Sequence, residues 1–456
     1  MDDFDTIYQG ISPFWRLSGR QVLDVVDQAQ RAPGADLWLC VFSGREATTQ
    51  CSHPFRKSDR DINHLFDSLL HQLPGVLPDV KFLVNHLDEP RVLIPPQPAE
   101  SESAYHEQSN NRADFFNLSD ISGKTTWDTL TEFCSSSSEH TGAYPDAHTE
   151  TPSILPFISN LSSAIDLCRH PEYRSMHGLA ISPTSFLPFQ GPVPIFSTGA
   201  PSTMADILYP SPAYLQPEFR YNNNSAHDVP WARKRNQLYW MGSTTGGFAG
   251  PDTQWQHHHR QRFVQLAQNL DQKDHLYLRE IDNHNGEATI TSTHSSFLNS
   301  RLFDVAFTRI TQCSPSSCRA QRQYFTTQSW ADKDGALGSR LVFDLDGNGI
   351  SGRYYKLLAS RSTPLKQTIF REWHDDRLVP WVHYIPVSLG MEELPELVSY
   401  LTSTTAGQAR AQEIAEQGRK WFFQALRDVD MTVYTYRLLL ELARIQDPER
   451  EAWEIP

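Results

Sequence analysis

The stretch with the most chemical content is Phe343-Asp-Leu-Asp-Gly-Asn-Gly-Ile-Ser-Gly-Arg-Tyr-Tyr-Lys356. Asp344, Asp346, Asn348 and Gly349 fall on ligand and turn positions of a calcium loop, but the closing position, which needs a bidentate glutamate, is Tyr355, and the left flank reads as a strand instead of a helix. What remains is a strand, a turn carrying Gly347, Gly349 and Gly352, and a helix starting near Ser351. Such a turn offers backbone N–H groups and the positive end of a helix dipole to an anion, and a diphosphate suits it. Arg353 adds a planar cationic fork at the same place. A glycine turn that binds nothing is the alternative reading of these residues.

A second glycine loop, Gly242-Ser-Thr-Thr-Gly-Gly247, also follows a strand-like run, and its hydroxyls and unhindered N–H groups suit phosphate or ribose oxygens. Neither loop has a P-loop lysine or the order of a dinucleotide fingerprint, so kinase and dehydrogenase readings fall while a nucleotide-diphosphate site stands. The third stretch is Asn85-His-Leu-Asp-Glu-Pro90. Asp88 there reads locally as a turn-forming aspartate ahead of Glu-Pro, in a polar loop.

These residues meet only if the chain builds α/β units around a cleft. Residues 19–31 read as a helix stopped by Ala32-Pro33-Gly34. Residues 37–42 and 80–84 read as strands flanking a helix over 59–72, whose Ile62, Leu65, Phe66, Leu69 and Leu70 recur at helical spacing. This βαβ-like alternation puts Asp88 beyond the carboxyl end of a strand, where open α/β sheets place ligands. From Pro95 to about Pro156 the composition turns to Ser, Glu, His, Asn and Pro and reads as an exposed, partly flexible insertion. A second unit follows, with strands at 237–240, 302–307, 339–343 and 368–370 and helices at 257–269, 354–360, 409–426 and 431–445. His383 and Trp381 sit in an apolar block and read as core.

At 456 residues the chain is long enough for two domains of roughly 150 to 250 residues each. A formal charge of -14 disfavours a nucleic-acid partner, since neutralising phosphates takes clustered Lys and Arg. No apolar run approaches the roughly 18 residues of a membrane span, and the first residues lack a basic and then apolar leader pattern. The six cysteines allow disulfides, with Cys313 near Cys318 and with Cys134 and Cys168 flanking a long loop, or six buried thiols. Acceptor sequons occur at Asn117, Asn160 and Asn223.

Six blocks occur in this order along the chain: Asn85-His-Leu-Asp-Glu-Pro-Arg91, Trp240-Met-Gly-Ser-Thr-Thr-Gly-Gly247, Asp346 to Ser360, Lys366-Gln-Thr-Ile-Phe-Arg-Glu-Trp-His374, Pro380 to Val387 and Asp430 to Glu441. Together they resemble the capsule-associated xylosyltransferase and Rumi-type protein O-glucosyltransferase family. The resemblance implies an α/β fold of GT-B type, with two Rossmann-type domains facing a cleft. Residues 1–230 would form the acceptor side, with the insertion at about 96–156. Residues 231–427 would bind the nucleotide sugar, and C-terminal helices, 428–456, would pack back on the first domain. It further implies a UDP-sugar co-substrate, inversion at the anomeric carbon, and neither a metal nor another cofactor. Asp88 matches the general base. Gly242, Ser243, Thr244, Gly347, Asn348, Gly349, Ser351, Gly352, Arg353 and Glu372 match the donor side, Glu372 as a partner of the sugar or ribose. The forms at Asp88–Arg91 and Gly347–Leu358 are closer to the fungal branch and imply UDP-xylose, with protein O-glucosylation as the alternative. The acceptor would be a glycan or glycoprotein in the Golgi or endoplasmic reticulum lumen, with membrane attachment only through an N-terminal anchor outside this sequence.

Two departures from the family pattern stand out. Met241 occupies a place where an arginine is usual, which removes a diphosphate cation unless Arg260 replaces it and leaves open a catalytically inactive, ligand-binding relative. Pro364 sits where a central strand would resist it.

Overall fold

The computed structural model describes residues 4–52, 61–95, 115–119, 122–134, 155–222, 227–282, 288–329 and 332–453. Much of the expected insertion, and the sequon at Asn223, lie outside the described residues.

The helix Gly19–Arg31 begins at a reciprocal cap in which Ser18 Oγ accepts the Gln21 N–H and Gln21 Oε1 accepts the Ser18 N–H. Val22, Val25, Val26 and Ala29 form its buried stripe. Strand β1 (Trp38–Ser43) turns at once into β2 (Thr48–Cys51), and β3 (Val80–Val84) follows the helix Ile62–Leu70. Three short strands, β4 (Val92–Leu93), β5 (Asn117–Leu118) and β6 (Phe189–Gln190), make a small separate sheet. The chain then adds β7 (Ile195–Ser197) and β8 (Ile207–Leu208) to the first sheet, in the order β2-β1-β3-β7-β8.

The βαβ-like expectation needs correction here. β1 is antiparallel to both β2 and β3, and only the β3–β7 and β7–β8 pairings are parallel. The hairpin after Ser43 inserts an extra chain reversal, so β3 enters opposite to β1. The first sheet is therefore mixed, not a doubly wound parallel one.

The second sheet is parallel throughout. β9 (Arg235–Ser243) leads, after the hairpin pair β10 (His275–Asp282) and β11 (Ala288–Ser295), to β12 (Phe303–Arg309) on one flank. β13 (Ser339–Leu345), β14 (Thr363–Gln367) and β15 (Ile385–Pro386) follow on the other. The order β12-β9-β13-β14-β15 reverses direction between β9 and β13, the crevice at which open parallel sheets bind ligands. Pro364 lies inside β14, contrary to the sequence expectation. β15 pairs with β14 only at Leu365 and Lys366, so at Pro364 that flank of the strand carries no ladder.

The described part of the expected insertion is packed, not loose. Trp127 and Leu130 are buried in the main core, and Cys134 is bonded to Cys168. Cys40–Cys51 and Cys313–Cys318 complete the pairing of all six cysteines. The helix Asp428–Ile445 packs back on the first sheet and on the helix Ile62–Leu70: Tyr434 donates to Leu208 O, Gln446 just beyond its end to Lys81 O, and Thr432 to Leu69 O. Among the described residues no helix is long and apolar enough to cross a membrane.

Candidate active site

Both glycine turns leave the carboxyl ends of adjacent strands at the switch point, the first from β9 and the second from β13. Arg260, on the helix His259–Ala267, ties them together from behind. Its Nε donates to Asp346 O at 2.6 Å, Nη1 to Ser243 O at 3.1 Å and Thr245 Oγ1 at 2.6 Å, and Nη2 to Leu345 O at 3.3 Å. Arg353, ending the second turn, donates to Met241 O at 2.7 Å. Both guanidiniums stand over the Trp240 ring, at 5.7 Å and 5.5 Å from its centroid. Burial, then the neighbouring Arg353, pull the Arg260 pKa down to about 9, against Asp346, Asp344 and Asp88. Two guanidiniums stand side by side here, with Asp344, Asp346 and Asp88 as the nearby counter-charges.

Backbone from the first half of the chain reaches this crevice. Gly246 has φ +116°, a conformation that favours glycine, and a Cβ there would lie 2.5 Å from the His259 ring. A Cβ on Gly178 would lie 1.6 Å from Gly246 O, and the His177 ring stacks on His259 at 3.8 Å. On the opposite rim a Cβ on Gly349 would lie 2.5 Å from Asp88 O, so the second turn and the Asp88 loop touch backbone to backbone.

Asp88 itself is exposed, while the loop around it is tightly held. Asn85 Nδ2 donates to Glu89 O at 2.7 Å and to Ser197 Oγ at 3.1 Å, and Asn85 Oδ1 accepts the Leu87 N–H at 3.1 Å. The Glu89 carboxylate accepts the Thr184 N–H at 2.7 Å, and the buried Asp206 carboxylate accepts the N–H groups of Arg91 and Val92. The turn-forming work thus falls to Asn85, which frees the Asp88 carboxylate. Asn348 Nδ2 approaches Asp88 Oδ2 at 3.5 Å. A cavity of about 560 Å³ opens beside Leu87, with Asp36, Thr126 and the 182–187 loop in its walls. A larger one, about 1010 Å³, lies between the β10–β11 hairpin and the helix Leu394–Ser403 and includes no residue of either glycine turn. Neither cavity includes a residue of the glycine turns; the paired guanidiniums and the Asp88 loop lie together at the crevice instead.

Residues 183–452 match the Glycosyl transferase family 90 domain, more than half of the chain. The chain belongs to glycosyl transferase family 90. It is also similar to protein O-glucosyltransferase 1 of Bos taurus, 29% identical over 139 residues, and to O-glucosyltransferase rumi of Drosophila pseudoobscura pseudoobscura, 28% identical over 144 residues. Each alignment covers 27% of this chain and 34% of the relative's own length.

The family 90 domain so defined contains both glycine turns, while Asp88 precedes it in sequence and is brought to it by the fold. Gly242, Ser243, Gly347, Asn348, Gly352 and Arg353 are partly exposed along the crevice. Three expected donor contacts stand differently. Thr244 is buried, and its hydroxyl donates to Thr311 O and accepts the Thr311 N–H, both at 2.8 Å, so it pins the loop after β12; the half-buried Thr245 and Ser243 hydroxyls face each other instead. Ser351 is buried beside Asp344, whose carboxyl is pushed up to about 6 by burial, against Lys366, Ser351 and Arg353. Gly349 is buried against Asp88. The helix after the second turn is short, Tyr354–Leu358, because three glycines upstream disfavour helix until they are passed, so the expected dipole end at Ser351 does not form.

Glu372 lies in a buried polar cluster. Its Oε1 pairs with Lys366 Nζ at 2.9 Å and its Oε2 accepts from the Tyr214 hydroxyl. Burial would raise this carboxyl, but Lys366 and His374 outweigh it and hold the pKa below the ordinary value; Asp375 next to it is pushed up to about 7 by burial. Both Glu372 oxygens are thus engaged inside this cluster. Lys366→Met is expected to destabilise the protein by about 3–5 kcal/mol, since it strands a buried carboxylate; chemical denaturation measures it.

Arg260, Thr245, Asn85 and His259 gave only faint sequence signals. The run His257-His-His-Arg260 opening a helix directly after a glycine loop was the strongest of them.

Proposed function

We propose that this protein is an inverting glycosyltransferase that moves a sugar from a UDP-sugar to a hydroxyl of a glycoprotein or glycan. Asp88 takes the acceptor proton as the hydroxyl oxygen bonds to the anomeric carbon. The bond from that carbon to the β-phosphate oxygen breaks on the opposite face, and Arg353, with the 347–352 turn held by Arg260, stabilises the charge developing on UDP. The observation that carries this reading is the backbone contact between Gly349 and Asp88, which sets a carboxylate at the rim of a cationic crevice. The Asp88 side chain is exposed, so an acceptor hydroxyl can reach it from solvent. No residue in this scheme needs a metal. We read the arrangement as GT-B-like, with the mixed sheet on the acceptor side.

Met241 does not decide against activity. Its side chain packs with Tyr239 and Ala306, and Arg353 presents a guanidinium at the same crevice while Arg260 holds the two turns. The names of the similar relatives favour glucose as the sugar, whereas the forms at Asp88–Arg91 and Gly347–Leu358 favour xylose. Three disulfides favour an oxidising compartment such as the endoplasmic reticulum or Golgi lumen. The exposed Asn117 and Asn160 suit glycosylation there.

The test incubates purified protein with UDP-glucose, UDP-xylose and UDP-galactose, reading UDP release and transfer to a glycoprotein acceptor, with UDP affinity measured by calorimetry. One donor is expected to turn over well above the others. Protein that binds UDP yet turns over none of them would be an inactive relative and would end the transferase reading.

A further inference from the structure

Asn348 stands in the second glycine turn, and both ends of its side-chain amide are engaged. Oδ1 accepts the Gly246 N–H at 2.9 Å, and Nδ2 is directed at Asp88 Oδ2, 3.5 Å away. The first contact fixes the second. Turned over, the amide would set its NH2 against the Gly246 N–H and its oxygen against the Asp88 carboxylate, two repulsive pairs in place of two attractive ones. The backbone reinforces the arrangement, because Gly349 fits against Asp88 O only for want of a Cβ. A contact of 3.5 Å is long, but hydrogen bonds to catalytic groups commonly tighten only in the reacting complex.

We propose that Asn348 is a positioning residue for Asp88 and does not contact the donor. Its amide holds one carboxylate oxygen, leaving the other to receive the acceptor proton, and it joins the first glycine loop to the base through a single side chain. This inference rests on the assignment of Asp88 as the base.

Asn348→Asp separates the two contacts. It keeps an oxygen for the Gly246 N–H, so a role confined to holding the loop survives, but it replaces the donor to Asp88 with a second carboxylate. At saturating donor, Asn348→Asp and Asn348→Ala are both expected to lower kcat roughly 10- to 100-fold, the scale of one hydrogen bond to a charged group. In Asn348→Asp, which keeps the Gly246 contact, UDP affinity should stay at the wild-type value, which also reports that the variant is folded. The acidic limb of the kcat/KM profile of Asn348→Asp should move to higher pH. In an Asp88→Asn background, Asn348→Ala should cause little further loss, since its effect passes through the missing carboxylate.

Wild-type kcat in Asn348→Asp would overturn the inference, as would weakened UDP binding with normal kcat in Asn348→Ala; both outcomes leave the base assignment intact. If Asp88→Asn itself keeps wild-type transfer, the base assignment fails and takes the inference with it.

Discussion

Asp88→Asn is expected to lower kcat roughly 100- to 10,000-fold, the range for loss of a general base, with the fold and UDP affinity retained. The substitution is nearly isosteric, so the backbone contact with Gly349 survives. The loop is held by other residues: Asn85 through Glu89 O, Ser197 and Leu87, Glu89 through Thr184, and Asp206 through the N–H groups of Arg91 and Val92. None of these bonds involves the Asp88 carboxylate. A loss of rate therefore reports chemistry, which initial rates at saturating donor beside a thermal melt will show. Equal rates in wild type and variant would move the base elsewhere. The Glu89 and Asp206 carboxylates are poor replacements, since both are buried and committed to the bonds named above.

That division of labour within one loop marks where sequence reasoning stops. The loop's place beyond a strand was legible, because apolar runs and turn residues are local signals. So was the helix Gly19–Arg31, whose Ala32-Pro33-Gly34 stop is written in consecutive residues. Which residue of Asn85-His-Leu-Asp88 shapes the turn was not legible, because Asn85 earns that role partly through Ser197, far away in the chain. The direction of β3 was misread for a similar reason: pairing is non-local, and a four-residue strand, Thr48–Cys51, was enough to reverse it. Side-chain use is harder still. Thr244 and Thr245 look equivalent in the sequence, yet register against Thr311 consumes one hydroxyl and Arg260 meets the other. Glu372 sat in the right block, but Lys366 and Tyr214 reach it first. The two glycine turns were singled out without knowledge of the strand order, and the reversal between β9 and β13 explains why they lie side by side.

Arg353→Met should lower kcat/KM for the donor roughly 100- to 1,000-fold, the loss seen when one donor to a developing oxyanion is removed. Arg353 ends the second turn at the rim of the crevice, stacked on Trp240 and anchored by one bond to Met241 O, which leaves most of its fork for a ligand. Arg260 cannot take over. Its guanidinium already donates to Asp346 O, Ser243 O, Leu345 O and Thr245 Oγ1, and moving it would release both glycine turns. Arg353→Lys is expected to recover only a small part of the loss, because an ammonium cannot stack on the indole, hold Met241 O and grip a diphosphate together. If the charge acts mainly on the departing UDP, kcat falls more than KM rises; if it serves binding alone, UDP affinity falls in step with kcat/KM and kcat at saturation is spared. Steady-state kinetics with UDP titration on the same preparations separate these outcomes. Wild-type kcat/KM in Arg353→Met would mean that the diphosphate lies outside this turn, and the link between the glycine crevice and catalysis would break there, whatever Asp88 does.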